Sequence, residues 1–142
     1  MDRFLDMKQF LFGGARLNSA VADFGLFVLR AFAGTSLALA HGLGKLPPTE
    51  GFMKGVTSLG LPPQAAWLSG FAEFFCGLLL AIGLGTRPAA MIIATNMSVA
   101  AFRQHATDPY LRAELAYLYL AVAVMFVLVG AGRLSADRVI KR

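Results

Sequence analysis

The chain has 142 residues, of which 57% are hydrophobic and only 15% charged, with a mean hydropathy of +0.64; a soluble domain of this size cannot bury that much apolar surface. Its net charge of +5 comes from Lys and Arg gathered at the ends of apolar segments without a continuous patch, which excludes a nucleic-acid surface and reads as topology signals and contacts to anionic lipid headgroups. The single cysteine, Cys76, lies inside an apolar run, which excludes an intrachain disulfide, a CxxC redox pair and a thiol-based metal cluster.

Residues 1–18 interleave Phe4, Met7 and Leu11 with Asp2, Arg3, Asp6 and Lys8. No uncharged core or small-residue cleavage site follows, so the segment is not read as a signal peptide. Its spacing fits a short amphipathic helix in the headgroup layer, on the cytoplasmic side, and equally a frayed terminus. The first apolar segment, about 21–41, carries Arg30 at its centre. At about 100° per residue, Gly34 and His41 share a helix face with Arg30. Gly42, Gly44, Pro47 and Pro48 are expected to stop this helix, and the loop beyond, with Lys45, Phe52 and Met53, is apolar enough to lie on the membrane.

The second segment, about 65–84, holds roughly twenty apolar residues around one carboxylate, Glu73, enough for the ~30 Å of a bilayer's hydrocarbon core. A charge at that depth costs roughly 2.5–3.5 kcal/mol on insertion scales, so it faces a bundle interior and finds partners. Ala66, Gly70 and Gly77 lie on the same side as Glu73 and allow close helix approach. A tight turn through Gly83, Gly85 and Pro88 leads into a third segment, about 88–104, with Asn96 at its centre. The fourth, about 113–130, begins with Glu114 and Tyr117.

The predicted fold is an all-α, antiparallel four-helix transmembrane bundle, a single domain over residues 19–132 followed by a basic tail, 133–142. Eight Lys and Arg lie on the side holding both termini, against four on the other with Arg30 left out as buried, which puts both termini in the cytoplasm. Counting height from the helix ends places Arg30, Glu73 and Asn96 in one layer near the midplane, as a buried polar network. His41, Lys45, Arg103, His105, Glu114 and Tyr117 form a second layer nearer the outer surface. A register-locking ion pair explains Arg30 and Glu73 as well as a functional site does, and Asn96 alone reads as interhelical glue. No closely spaced His pair or haem motif is present, so no metal is expected.

The stretches LRAFAGTSLALAHGLGKL at 29–46, LGLP at 59–62, AEFFCGLLLAIGLGTRPAA at 72–90 and NMSVA at 96–100 together resemble the DoxX family of bacterial membrane proteins. The resemblance implies a small four-helix protein of the inner (plasma) membrane. It further implies a family that includes a subunit of an archaeal thiosulfate:quinone oxidoreductase and members linked to redox homeostasis through soluble redox enzymes. Arg30, His41, Lys45, Glu73, Arg87 and Asn96 match the family pattern by position, and no agreed catalytic set comes with it. Three functions stay open: a redox accessory binding a quinone or similar lipophilic molecule between its helices, with a soluble redox partner; a structural anchor or assembly subunit; and a small transporter or lipid-handling protein. The small-residue faces serve equally within one chain or between copies in a homo-oligomer.

Overall fold

The computed structural model describes residues 19–140, all helix, turn or coil with no strand among them. The amphipathic helix expected over residues 1–18 lies outside the described residues. Helix α1 spans Ala20–Lys45. Ser19 caps it by accepting from the Ala22 amide at 3.3 Å. It is α-helical to Ser36, widens to a π-helix over Leu37–Gly42 and tightens to a 3-10 turn over Leu43–Lys45. Gly42 and Gly44 therefore do not stop it; the helix runs to the edge of the Pro47–Pro48 pair, which cannot continue it.

The loop that follows contains a helix of its own, α2 (Glu50–Ser58), capped by Thr49, which accepts from the Phe52 amide at 3.2 Å. Helix α3 is Gln64–Ile82 and ends on Gly83 at φ 72°, whose amide donates to Leu79 at 2.9 Å while the Leu84 amide reaches the same carbonyl at 3.0 Å. This closing pattern needs a left-handed residue, which glycine supplies at no steric cost. Helix α4 is Thr86–Val99 and continues as a π-helix over Ala100–Gln104; α5 is Tyr110–Val129 and α6 is Ala136–Ile140.

Helix α3 packs against α1 on one side and α4 on the other, and α5 lies along α4. Leu37, Cys76, Leu80, Ile93, Met97 and Phe126 form the apolar core. The α1–α3 seam is made of small residues. A Cβ at Gly34 would meet the backbone of Gly77 and Ala81, and one at Gly42 would meet that of Glu73 and Phe74. These contacts fix the register of α1 against α3, because only glycine lets the two backbones approach so closely.

The distribution of side chains is inverted relative to a soluble protein. Phe32, Leu68 and Leu128 are 71%, 68% and 69% exposed, whereas Arg30, Glu73, Asp23 and Asp137 are 1%, 3%, 4% and 3% exposed. Helices α1, α3 and α5 are each long and apolar enough to cross a membrane. Residues 86–104 are not in that class by hydropathy; they carry Arg87, Thr95, Asn96, Ser98, Arg103 and Gln104.

Candidate functional site

The register of α1 on α3 places the end of α1 beside the middle of α3. Lys45 Nζ donates to Glu73 Oε1 at 2.6 Å, and Asn96 Nδ2 of α4 donates to the same oxygen at 3.0 Å. Glu73 Oε2 is buried and has no hydrogen-bond partner among the described residues. The carboxylate is thus held by two donors on one oxygen and leaves the other for a further group. The π-helical stretches of α1 and α4, Leu37–Gly42 and Ala100–Gln104, both flank this cluster. Such local widenings concentrate at functional sites because they turn side chains away from the regular helical face.

Two cavities meet at Glu73. The larger, about 460 Å³, lies between α3 and α4 beneath α2. Its walls are mostly apolar, with Phe52, Val56, Leu68, Phe71 and Ile92 among them, and its polar end is Lys45, Glu73 and Asn96. The Lys45 ammonium also lies 5.3 Å from the centre of the Phe52 ring of α2, a cation–π contact that ties α2 to the polar end. The smaller cavity, about 230 Å³, opens on the other side of the same pair and is bounded by His41, Met97, Gln104, His105, Arg112 and Tyr119. The His41 and Tyr119 rings meet edge to face at 5.9 Å. His105 Nδ1 lies 2.8 Å from Asp108 Oδ2, and Arg112 Nη1 lies 3.8 Å from Asp108 Oδ1.

Of the residues expected at the site, Lys45, Glu73 and Asn96 come together, and His41 lies beside them in the smaller cavity. Arg30 does not. Because Gly42 sits against Glu73, Arg30 is twelve residues away along α1, about 18 Å at 1.5 Å per residue. Its guanidinium instead crosses Gly83 at the opposite end of α3 and donates from Nη2 to the Leu134 carbonyl at 2.6 Å. Counting height from helix ends misplaced it: the small-residue seam sets His41 level with Phe74 rather than with the start of α3. Glu114 and Tyr117 also lie outside both cavities. Glu114 is exposed, and Tyr117 packs on Phe102 and Tyr110 with ring centres 5.6 and 6.1 Å away. The inward face of α5 is Ala113, Ala116, Ala123 and Phe126, and Tyr119 continues it. That spacing of three and four was readable in the sequence.

The end of the bundle away from Glu73 is held by residues 130–140. Asp137 accepts from the Gly85 amide at 2.6 Å and the Thr86 amide at 3.0 Å, capping α4 from outside because Gly85 has no side chain to do so. Asp23 accepts from the Arg133 amide at 3.0 Å and faces Arg133 Nε at 3.2 Å. Neither carboxylate was singled out by sequence, since the cap comes from a residue some fifty positions distant.

Buried charges within and an apolar exterior on long hydrophobic helices define an integral membrane protein. The DoxX family model matches residues 25–106, and the chain belongs to the DoxX family. It is 29% identical over 116 residues to "Putative oxidoreductase CatD" of Bacillus subtilis (strain 168), covering 81% of this chain and 86% of that protein. No solved structure gave a significant match.

Proposed function

We propose that this chain binds a lipophilic molecule bearing hydrogen-bonding oxygens, of the quinone type, in the groove between α3 and α4, as the accessory subunit of a membrane redox system. The observation that carries the reading is an apolar cavity of about 460 Å³ that ends on Glu73, Lys45 and Asn96. The apolar walls take a hydrocarbon tail, and the polar end takes a head group. Glu73 Oε2, without a hydrogen-bond partner among the described residues, suits a ligand that donates or accepts a proton there. A quinone supplies two-electron, two-proton chemistry when bound. Lys45 and Asn96 would orient its carbonyl by donating to it, and Glu73 Oε2 would lie within hydrogen-bond reach of the head group as the atom that takes up or returns a proton. The name of the Bacillus relative, "Putative oxidoreductase CatD", favours redox chemistry over transport. Electrons come from a soluble redox enzyme.

In this reading 86–104 is the fourth span: Asn96 turns to Glu73 of α3, and the Thr95 and Ser98 hydroxyls donate to the Met91 and Ala94 carbonyls of their own helix. Both termini lie in the cytoplasm, following the excess of Lys and Arg at that end, and the membrane is the bacterial inner membrane. The groove opens toward the outer half. The test is to extract the protein into nanodiscs from its native membrane and assay bound quinone by mass spectrometry. The wild type is expected to hold quinone near one per chain and Glu73→Gln at least about tenfold less, the equivalent of ~1.4 kcal/mol of lost binding. Phospholipid alone in the wild type would overturn the reading.

A further inference from the structure

Glu73 lies deep among apolar helices, and any proton it exchanges needs a wet route, because a bilayer core offers no water. The groove under α2 is an apolar approach. The smaller cavity is chemically different: beyond the wall it shares with the groove, it carries His41 on α1, His105 after α4, and Arg112 and Tyr119 on α5. Imidazole, phenol and the Gln104 amide each donate and accept hydrogen bonds. About 230 Å³ holds several waters at ~30 Å³ each. Lys45, Glu73, Ala100 and Gln104 line both cavities, so the ion pair is the partition between an apolar chamber and a more polar one. The polar chamber ends at the α4–α5 turn, where His105 and Arg112 converge on Asp108.

We infer that the smaller cavity is an aqueous antechamber through which Glu73 exchanges protons with the surface at the α4–α5 turn, while the lipophilic ligand reaches the same carboxylate from the groove. The ligand half of this rests on the proposed function. The water half stands on the cavity itself.

The experiment places single cysteines in a Cys76→Ala background in nanodiscs, at Ala116 in the smaller cavity and at Thr95 in the groove. The probes are a charged methanethiosulfonate and the lipophilic N-cyclohexylmaleimide. The charged reagent reaches a thiol only through water, whereas the lipophilic maleimide also enters apolar surroundings, where a thiol ionises less and reacts more slowly. Ala116→Cys is expected to react with the charged reagent at least about tenfold faster than Thr95→Cys, and Thr95→Cys to react with the maleimide. A water-soluble carbodiimide should then couple Glu73 to Lys45 with loss of one water, detected by peptide mass spectrometry. Prior derivatisation of Ala116→Cys should suppress that coupling. His41→Cys is the second position if Ala116→Cys fails to fold. Folded variants at both positions that ignore the charged reagent would overturn the inference, as would coupling that persists after the cavity is plugged. Absence of bound quinone with the thiol pattern intact would instead sink the ligand reading and leave the antechamber standing.

Discussion

Lys45 Nζ lies 2.6 Å from Glu73 Oε1, the oxygen that Asn96 Nδ2 also reaches at 3.0 Å, so the end of α1 and the middle of α4 converge on one carboxylate oxygen of α3. The same pair is the partition between the two cavities.

Removing one member of this pair should cost more than removing both. Lys45→Met leaves a nearly buried carboxylate without its cation, a change that typically costs about 3–5 kcal/mol. The double variant Lys45→Met, Glu73→Leu removes both charges and should recover most of that loss. Thermal unfolding in detergent of the two single variants and the double variant checks this. Additive losses would show that the two residues do not act as a pair.

The α1–α3 seam makes a sharp contrast among glycines. Gly42→Ala drives a methyl into the backbone of Phe74, and Gly34→Ala into that of Ala81, changes of the overpacking kind that cost about 1–3 kcal/mol or more. Gly25→Ala and Gly44→Ala meet nothing within 4 Å among the described residues and should leave the melting temperature where it is. Melting curves of the four variants suffice, and equal losses at all four would contradict the seam.

Asp137 should behave as the cap of α4 although it lies in the last short helix. Asp137→Ala removes both acceptors from the Gly85 and Thr86 amides and is expected to cost about 0.5–2 kcal/mol. Asp137→Asn keeps one acceptor oxygen and should lose less. Hydrogen exchange at the first turn of α4 should rise in the alanine variant alone; unchanged exchange there would contradict the capping role.

The all-helical character and the three helices long and apolar enough to cross a membrane were legible in the sequence, and the candidate site was legible in part. Glu73 and Asn96 stood out because a lone polar group in an apolar run must find a partner, and both did, with each other. Arg30 was grouped with them by depth alone. Hydropathy marks where a helix leaves the lipid, but the contact of Gly34 and Gly42 with α3 decides how far one helix slides along another. The stripe of small residues was visible, yet nothing in it states which glycine meets which backbone. The role of Asp137 was hidden for a related reason: its partners at Gly85 and Thr86 are brought close only by the finished bundle.

The most direct test of the central claim, that the groove ending on Glu73 holds a lipophilic ligand, is photolabelling in nanodiscs with an azido-quinone, mapped by peptide mass spectrometry with excess unlabelled quinone as competitor. The account predicts label on Phe52, Val56, Phe71 or Ile92 of the groove wall, suppressed by the competitor and lost in Glu73→Gln. Label spread over outward residues such as Phe32 and Leu128, indifferent to competitor and to Glu73, would contradict it.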